Sequence, residues 1–121
     1  MRQILAIDDE KRILDVISRV MTHFGYNVIL ASDGAEGVEI LNNGHGFDLV
    51  LTDIGMPIMN GYSVAEHIRN STRPETPIVA ITGQDNQAID RELFNFVLTK
   101  PFRMEDLVDV VNFLTREKPL N

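Results

Sequence analysis

With 121 residues the chain is long enough to bury one hydrophobic core and too short for two. A formal net charge of −7, from 18 Asp and Glu against 11 scattered Lys and Arg, argues against direct binding to nucleic acid, and the lack of Cys excludes disulfides, thiolate metal sites and thiol catalysis. No apolar run approaches the roughly 20 residues of a membrane helix, and the N-terminus turns acidic too early for a secretory signal, so a cytoplasmic location without membrane contact is expected.

Short apolar runs alternate with helical stripes along the chain. Ile4–Ile7 reads as a strand that stops at Asp8-Asp9. Ile13, Ile17, Val20, Met21 and Phe24 mark one face of a helix, closed by Gly25 as its C-terminal cap. "NVILA" (27–31) is a second strand, and after it Asp33 and Glu36 stand like a capping pair for a helix with Val38 and Leu41 on one face. "FDLVLTD" (47–53) is apolar on both parities, as a strand covered on both faces should be. A helix follows over Tyr62–Arg69, with Asn60 and Gly61 supplying the turn before it. "PIVAIT" and "FNFVLT" are the fourth and fifth strands. A last helix spans Met104–Arg116, with Leu107, Val110, Val111 and Leu114 inward. Five such alternations predict an α/β fold, a flavodoxin-like, doubly wound, five-stranded parallel sheet in the order 2-1-3-4-5, as one domain over residues 1–121.

In sheets of this kind ligands sit beyond the carboxyl ends of the strands, where the strand order reverses. Strand 1 ends there in Asp8 and Asp9, strand 3 in Asp53, strand 4 in Thr82 and strand 5 in Lys100. Three carboxylates need counter-charge, and hard oxygen ligands suit Mg²⁺. Lys100 adds a second positive charge, which leaves a nearly neutral site able to receive phosphoryl oxygens. A carboxylate can itself be the nucleophile and form an aspartyl phosphate. Taken singly, Asp9 reads as a helix N-cap, Thr82 as a packed hydroxyl and Lys100 as a solvated amine; together on one edge they read as a site.

"AIDDE", "DLVLTDIGMPIMNG", "IVAITG" and "LTKPF" run from end to end of the chain in an order that resembles the receiver domain of two-component response regulators, including single-domain chemotaxis regulators. The resemblance implies that Asp53 accepts a phosphoryl group from the phosphohistidine of a sensor histidine kinase or phosphotransfer protein. It implies that Mg²⁺ is the cofactor, held by Asp8, Asp9, Asp53 and the backbone carbonyl of Gly55. Thr82 and Lys100 would bind the phosphoryl group, and a cis Lys100–Pro101 bond is implied as well. The function implied is a switch that changes protein–protein interactions at a downstream target, not an enzyme, although the chain would catalyse its own phosphorylation and dephosphorylation. The alternatives are a degenerate receiver acting only as an interaction module, and the receiver portion of a longer regulator or hybrid kinase.

Two features depart from the family pattern. Val97 stands three places before Lys100, where an aromatic residue is usual, and alternation points neighbouring Phe96 to the opposite face. The segment from Thr82 to Lys100 is short by roughly one helical turn, so the fourth helix should be short or irregular, with Ile89 and Leu93 its main apolar candidates. Signalling is then expected to use a modified surface around the first or last helix. Gly55 and Gln84 occupy the positions that flank water attack in the family. His23, His45 and His67 are widely spaced and form no metal-ligand pattern.

Overall fold

A computed structural model describes residues 2–44, 46–56, 59–83 and 92–116. Among them, strands and helices alternate as β1 (Gln3–Ile7), α1 (Lys11–His23), β2 (Asn27–Ala31), α2 (Gly34–Asn42), β3 (Leu49–Asp53), α3 (Gly61–Arg69), β4 (Ile78–Thr82), β5 (Phe96–Thr99) and α4 (Met104–Thr115). The strands are all parallel, in the order β2-β1-β3-β4-β5. This is the expected flavodoxin-like sheet. The expected short helix between Thr82 and Lys100, with Ile89 and Gln84, falls on 84–91, outside the described residues; Leu93 is half-buried.

Alternation along the strands builds two cores, one on each face of the sheet. Ile4, Ala6, Leu49, Leu51, Val79, Ile81 and Leu98 face α1 and α4. Leu5, Ile7, Val50, Ile78 and Ala80 face α2 and α3. Every residue of β3 and β4 is buried, which is why "LVLTD" and "IVAIT" are apolar on both parities. The edge strand β5 is buried only at Leu98.

Helix faces depart in detail from their sequence patterns. The buried stripe of α1 is Leu14, Ile17 and Met21, flanked by half-buried Ile13 and Val20. Phe24, expected on that face, is 54% exposed. It is the residue after the last helical turn, and Gly25 at φ 92° turns the chain so that Tyr26 enters the core instead. In α4 the buried residues are Leu107, Val108 and Val111, while Val110 and Leu114 pack at the margin. Asp33 caps α2 by accepting the Glu36 N–H at 2.7 Å, and Glu36 takes the Ser32 hydroxyl rather than completing a reciprocal box. No helix of the described residues is long and apolar enough to cross a membrane.

Candidate functional site

Parallel register brings the strand ends to one edge. Ile7 pairs with Thr52, so Asp8 follows at the level of Asp53. Asp53 pairs with Ile81, which puts Thr82 one residue further along, and Thr82 pairs with Thr99, with Lys100 next. The Lys100 N–H donates to the Thr82 carbonyl at 2.7 Å, and the Lys100–Pro101 bond is cis. Asp8, Asp53 and Thr82 are buried, whereas Asp9 is exposed.

The carboxylates converge: Asp8, Asp9 and Asp53 each offer an oxygen within 4.8 Å of the others. The Lys100 ammonium lies 3.4 Å from Asp8 Oδ2, 3.4 Å from Asp53 Oδ2 and 3.1 Å from Glu10 Oε1. Asp53 Oδ1 accepts the Gly55 N–H at 3.2 Å. Asp8 Oδ1 accepts the Glu10 N–H at 2.8 Å, but Oδ2 is buried without a hydrogen-bond partner among the described residues; its approach to Lys100 is a charge contact, not a directed bond. Burial raises the Asp8 pKa from 3.8 to about 6; the Glu10 N–H opposes this, the Asp53 charge adds to it and Lys100 opposes it. Burial works to lower the Lys100 pKa, but its hydrogen bond to Glu10 and the surrounding carboxylates win, and the pKa rises.

A buried carboxylate oxygen with no donor, beside two further carboxylates, fits a small hard cation. The all-oxygen donor set matches Mg²⁺ and not a thiophilic or imidazole-seeking metal.

Two side-chain readings change with the structure in view. Asp9 is not the N-cap of α1; that place belongs to Glu10, whose side chain makes no capping bond. Glu10 itself had no sequence signal beyond its place in "AIDDE", and only the three-dimensional approach to Lys100 reveals it. Asn60 does cap α3, accepting the Ser63 N–H at 3.1 Å. Gly61 is required for closeness and not for turn geometry: a Cβ there would stand 2.6 Å from the Asp53 carbonyl oxygen and 2.9 Å from Ile54 Cα. Those are backbone atoms and cannot step aside. Gly61→Ala is therefore expected to cost about 1–3 kcal/mol and to displace the end of β3, seen as a lower denaturation midpoint with amide shifts at Asp53 and Ile54. A midpoint equal to wild type would refute the close packing. Gly55 is under no such demand, since its Cβ direction is open.

Val97 is half-buried on the α2/α3 side of β5, and Phe96, on the other side, is 45% exposed, as alternation implied. Met56 is buried and Met59 half-buried, both as packing residues; Pro57 is outside the described residues. His23 is exposed, His67 bonds Asn42 Oδ1 at 2.9 Å, and His45 is outside the described residues.

Comparison with known proteins agrees with this geometry. The model of the response regulator receiver domain matches residues 4–112. The transcriptional regulatory protein DltR of Streptococcus agalactiae is 33% identical over 98% of this chain and 54% of its own length. The chemotaxis response regulator CheY4 of Vibrio cholerae superposes with a TM-score of 0.86 at 27% identity, covering 94% of this chain and 98% of CheY4. The response regulator TrrA of Thermotoga maritima, solved with Mg²⁺ and BeF, gives 0.85 at 28% identity, covering 94% and 99%. The chain belongs to the response regulator receiver family of two-component systems. It spans about half the length of curated relatives such as DltR.

Proposed function

We propose that Asp53 is the phosphoacceptor of this receiver, taking a phosphoryl group from the phosphohistidine of a sensor histidine kinase or a histidine phosphotransfer protein. The observation that carries this reading is the convergence of the Asp8, Asp9 and Asp53 carboxylates, with Lys100 Nζ 3.4 Å from both Asp8 Oδ2 and Asp53 Oδ2. A carboxylate oxygen of Asp53 attacks phosphorus, the P–O bond forms as the P–N bond breaks, and the imidazole leaves. Asp8, Asp9, Asp53 and the Gly55 carbonyl would hold Mg²⁺, which when bound neutralises the carboxylates and the phosphoryl oxygens. Thr82 and Lys100 bind the transferred group; Lys100 already sits among the acids by charge. The acidic balance of −7 supports a protein target over direct nucleic-acid contact. Phosphorylation and slow hydrolysis use the chain's own residues, and the output is a changed interaction with a downstream protein, in keeping with a switch and not with an enzyme acting on a separate substrate.

Acetyl phosphate with Mg²⁺ should add the mass of one phosphoryl group to the intact chain. Chelation and Asp53→Asn should each abolish the adduct. An adduct that survives Asp53→Asn would reject Asp53 as the acceptor.

A further inference from the structure

Among the described residues Lys100 has three carboxylate neighbours, and the nearest is the one that the catalytic reading leaves without a role. Glu10 Oε1 is 3.1 Å from the ammonium, against 3.4 Å for both Asp8 and Asp53. The Glu10 side chain is 59% exposed, while those of Asp8 and Asp53 are 1% and 8% exposed. The shortest contact therefore draws the ammonium toward solvent, and the two longer ones draw it inward. Among the described residues nothing else occupies the Glu10 side chain: it stands at the N-cap of α1 but makes no capping bond, a duty that Asp, Asn or Ser performs better. A phosphoryl group on Asp53 would draw the same ammonium inward, away from Glu10, because its three N–H donors already face three carboxylates.

Building on the phosphoacceptor reading of Asp53, we infer that Glu10 is a positioning residue that tethers Lys100 toward solvent in the resting chain and competes with the phosphoryl group for it. Occupation of the site then requires the Glu10–Lys100 contact to break or lengthen. An exposed ion pair is worth little, so the competition is a modest brake and not a block. It nonetheless acts on every cycle, because the ammonium is released and recaptured each time Asp53 is modified and hydrolysed.

Reach separates this role from a plain effect of local negative charge. Glu10→Gln removes the charge. Glu10→Asp keeps it but shortens the side chain by one methylene, and an Asp at an N-cap turns to its own helix, accepting a backbone N–H there. If Glu10 acts by holding Lys100, both variants release it. If it acts only by repelling anions, Glu10→Asp behaves as wild type.

The affinity of each full-length variant for beryllofluoride in the presence of Mg²⁺, titrated at constant ionic strength, measures the competition without requiring turnover. Both Glu10→Gln and Glu10→Asp are expected to tighten it by about two- to fivefold, the size of an exposed ion pair. Thermal midpoints within a few degrees of wild type show that the fold is kept. Unchanged affinity in Glu10→Gln overturns the proposal. So does tightening in Glu10→Gln with wild-type affinity in Glu10→Asp, since reach would then be irrelevant. Intact-mass labelling of the wild type by acetyl phosphate, run alongside, reports on the underlying reading: a labelled wild type with unaltered variants removes the tether alone, and a wild type without an adduct removes both.

Discussion

Asp8→Asn is expected to make the metal-free protein more stable at neutral pH, by about 1–3 kcal/mol. Asp8 is 1% exposed, and its folded-state pKa of about 6 lies above the ordinary 3.8 of a solvated Asp, chiefly because burial penalises the charged form. Between about pH 4 and 6 the folded chain thus holds a proton on Asp8 that the unfolded chain releases. The stability linked to that proton is full below about pH 4, falls as pH rises through 6, and is gone above it. Asparagine keeps the shape and the acceptor for the Glu10 N–H but has no charge to desolvate. The gap between variant and wild type in chelator should therefore open between pH 4 and 7. Mg²⁺ should narrow or reverse it, because a ligand that binds only the folded state stabilises it by mass action and the variant has lost a carboxylate. Denaturation of both proteins at several pH values, with chelator and with Mg²⁺, provides the check. A wild type more stable than Asp8→Asn in chelator at pH 7.5 would contradict this account. The folding cost at Asp8 is the counterpart of the site's readiness for a cation.

Arg69→Met should lower stability by about 3 kcal/mol, and Arg69→Lys by about 2. Arg69 is the last residue of α3, and its guanidinium makes five hydrogen bonds. Nη1 donates to the carbonyls of Pro74 and Thr76 at 2.6 and 2.7 Å, Nε and Nη2 to the Leu93 carbonyl at 3.2 and 2.9 Å, and Nη2 to Asn95 Oδ1 at 2.9 Å. Burial draws its pKa down, yet a guanidinium stays charged, so these are charge-assisted bonds. One planar fork joins the end of α3 to the chain entering β4 and to the chain entering β5. Lysine offers a point charge that cannot span both. Asn95 Oδ1 also accepts the Ile78 N–H at 2.8 Å, so loss of Arg69 should loosen the start of the β4–β5 pairing. Faster amide exchange at Ile78 and Asn95, with a midpoint about 10 °C lower, is the expected record. Wild-type exchange at both amides in Arg69→Met would show that the hub is dispensable.

Arg69 also shows where sequence reading stops. Four of its five bonds go to the backbone carbonyls of Pro74, Thr76 and Leu93, and backbone acceptors leave no pattern in side-chain identity. The same holds for Glu10, whose approach to Lys100 joins positions 90 residues apart. By contrast, the acidic edge was legible because parallel strands must end at one side of the sheet, so the residue after each apolar run is placed by topology alone. Alternation likewise separated Val97 from Phe96. The α1 stripe was read one residue out of phase at Leu14, because Ile13 and Leu14 are both apolar and a period of 3.6 does not choose between them. Gly61 was visible as a glycine, but a turn and a close approach look alike until the Asp53 carbonyl is placed beside it.

The burial of the strands gives the two halves of the site different mechanical characters. Asp53 closes β3, which is hydrogen-bonded on both sides and buried at every residue. Lys100 follows β5, which among the described residues is paired only to β4 and is buried only at Leu98. The site is a vice with one fixed jaw and one compliant jaw. Local opening costs least on the lysine side, at the edge of the sheet, and most at its centre, where Asp53 is held.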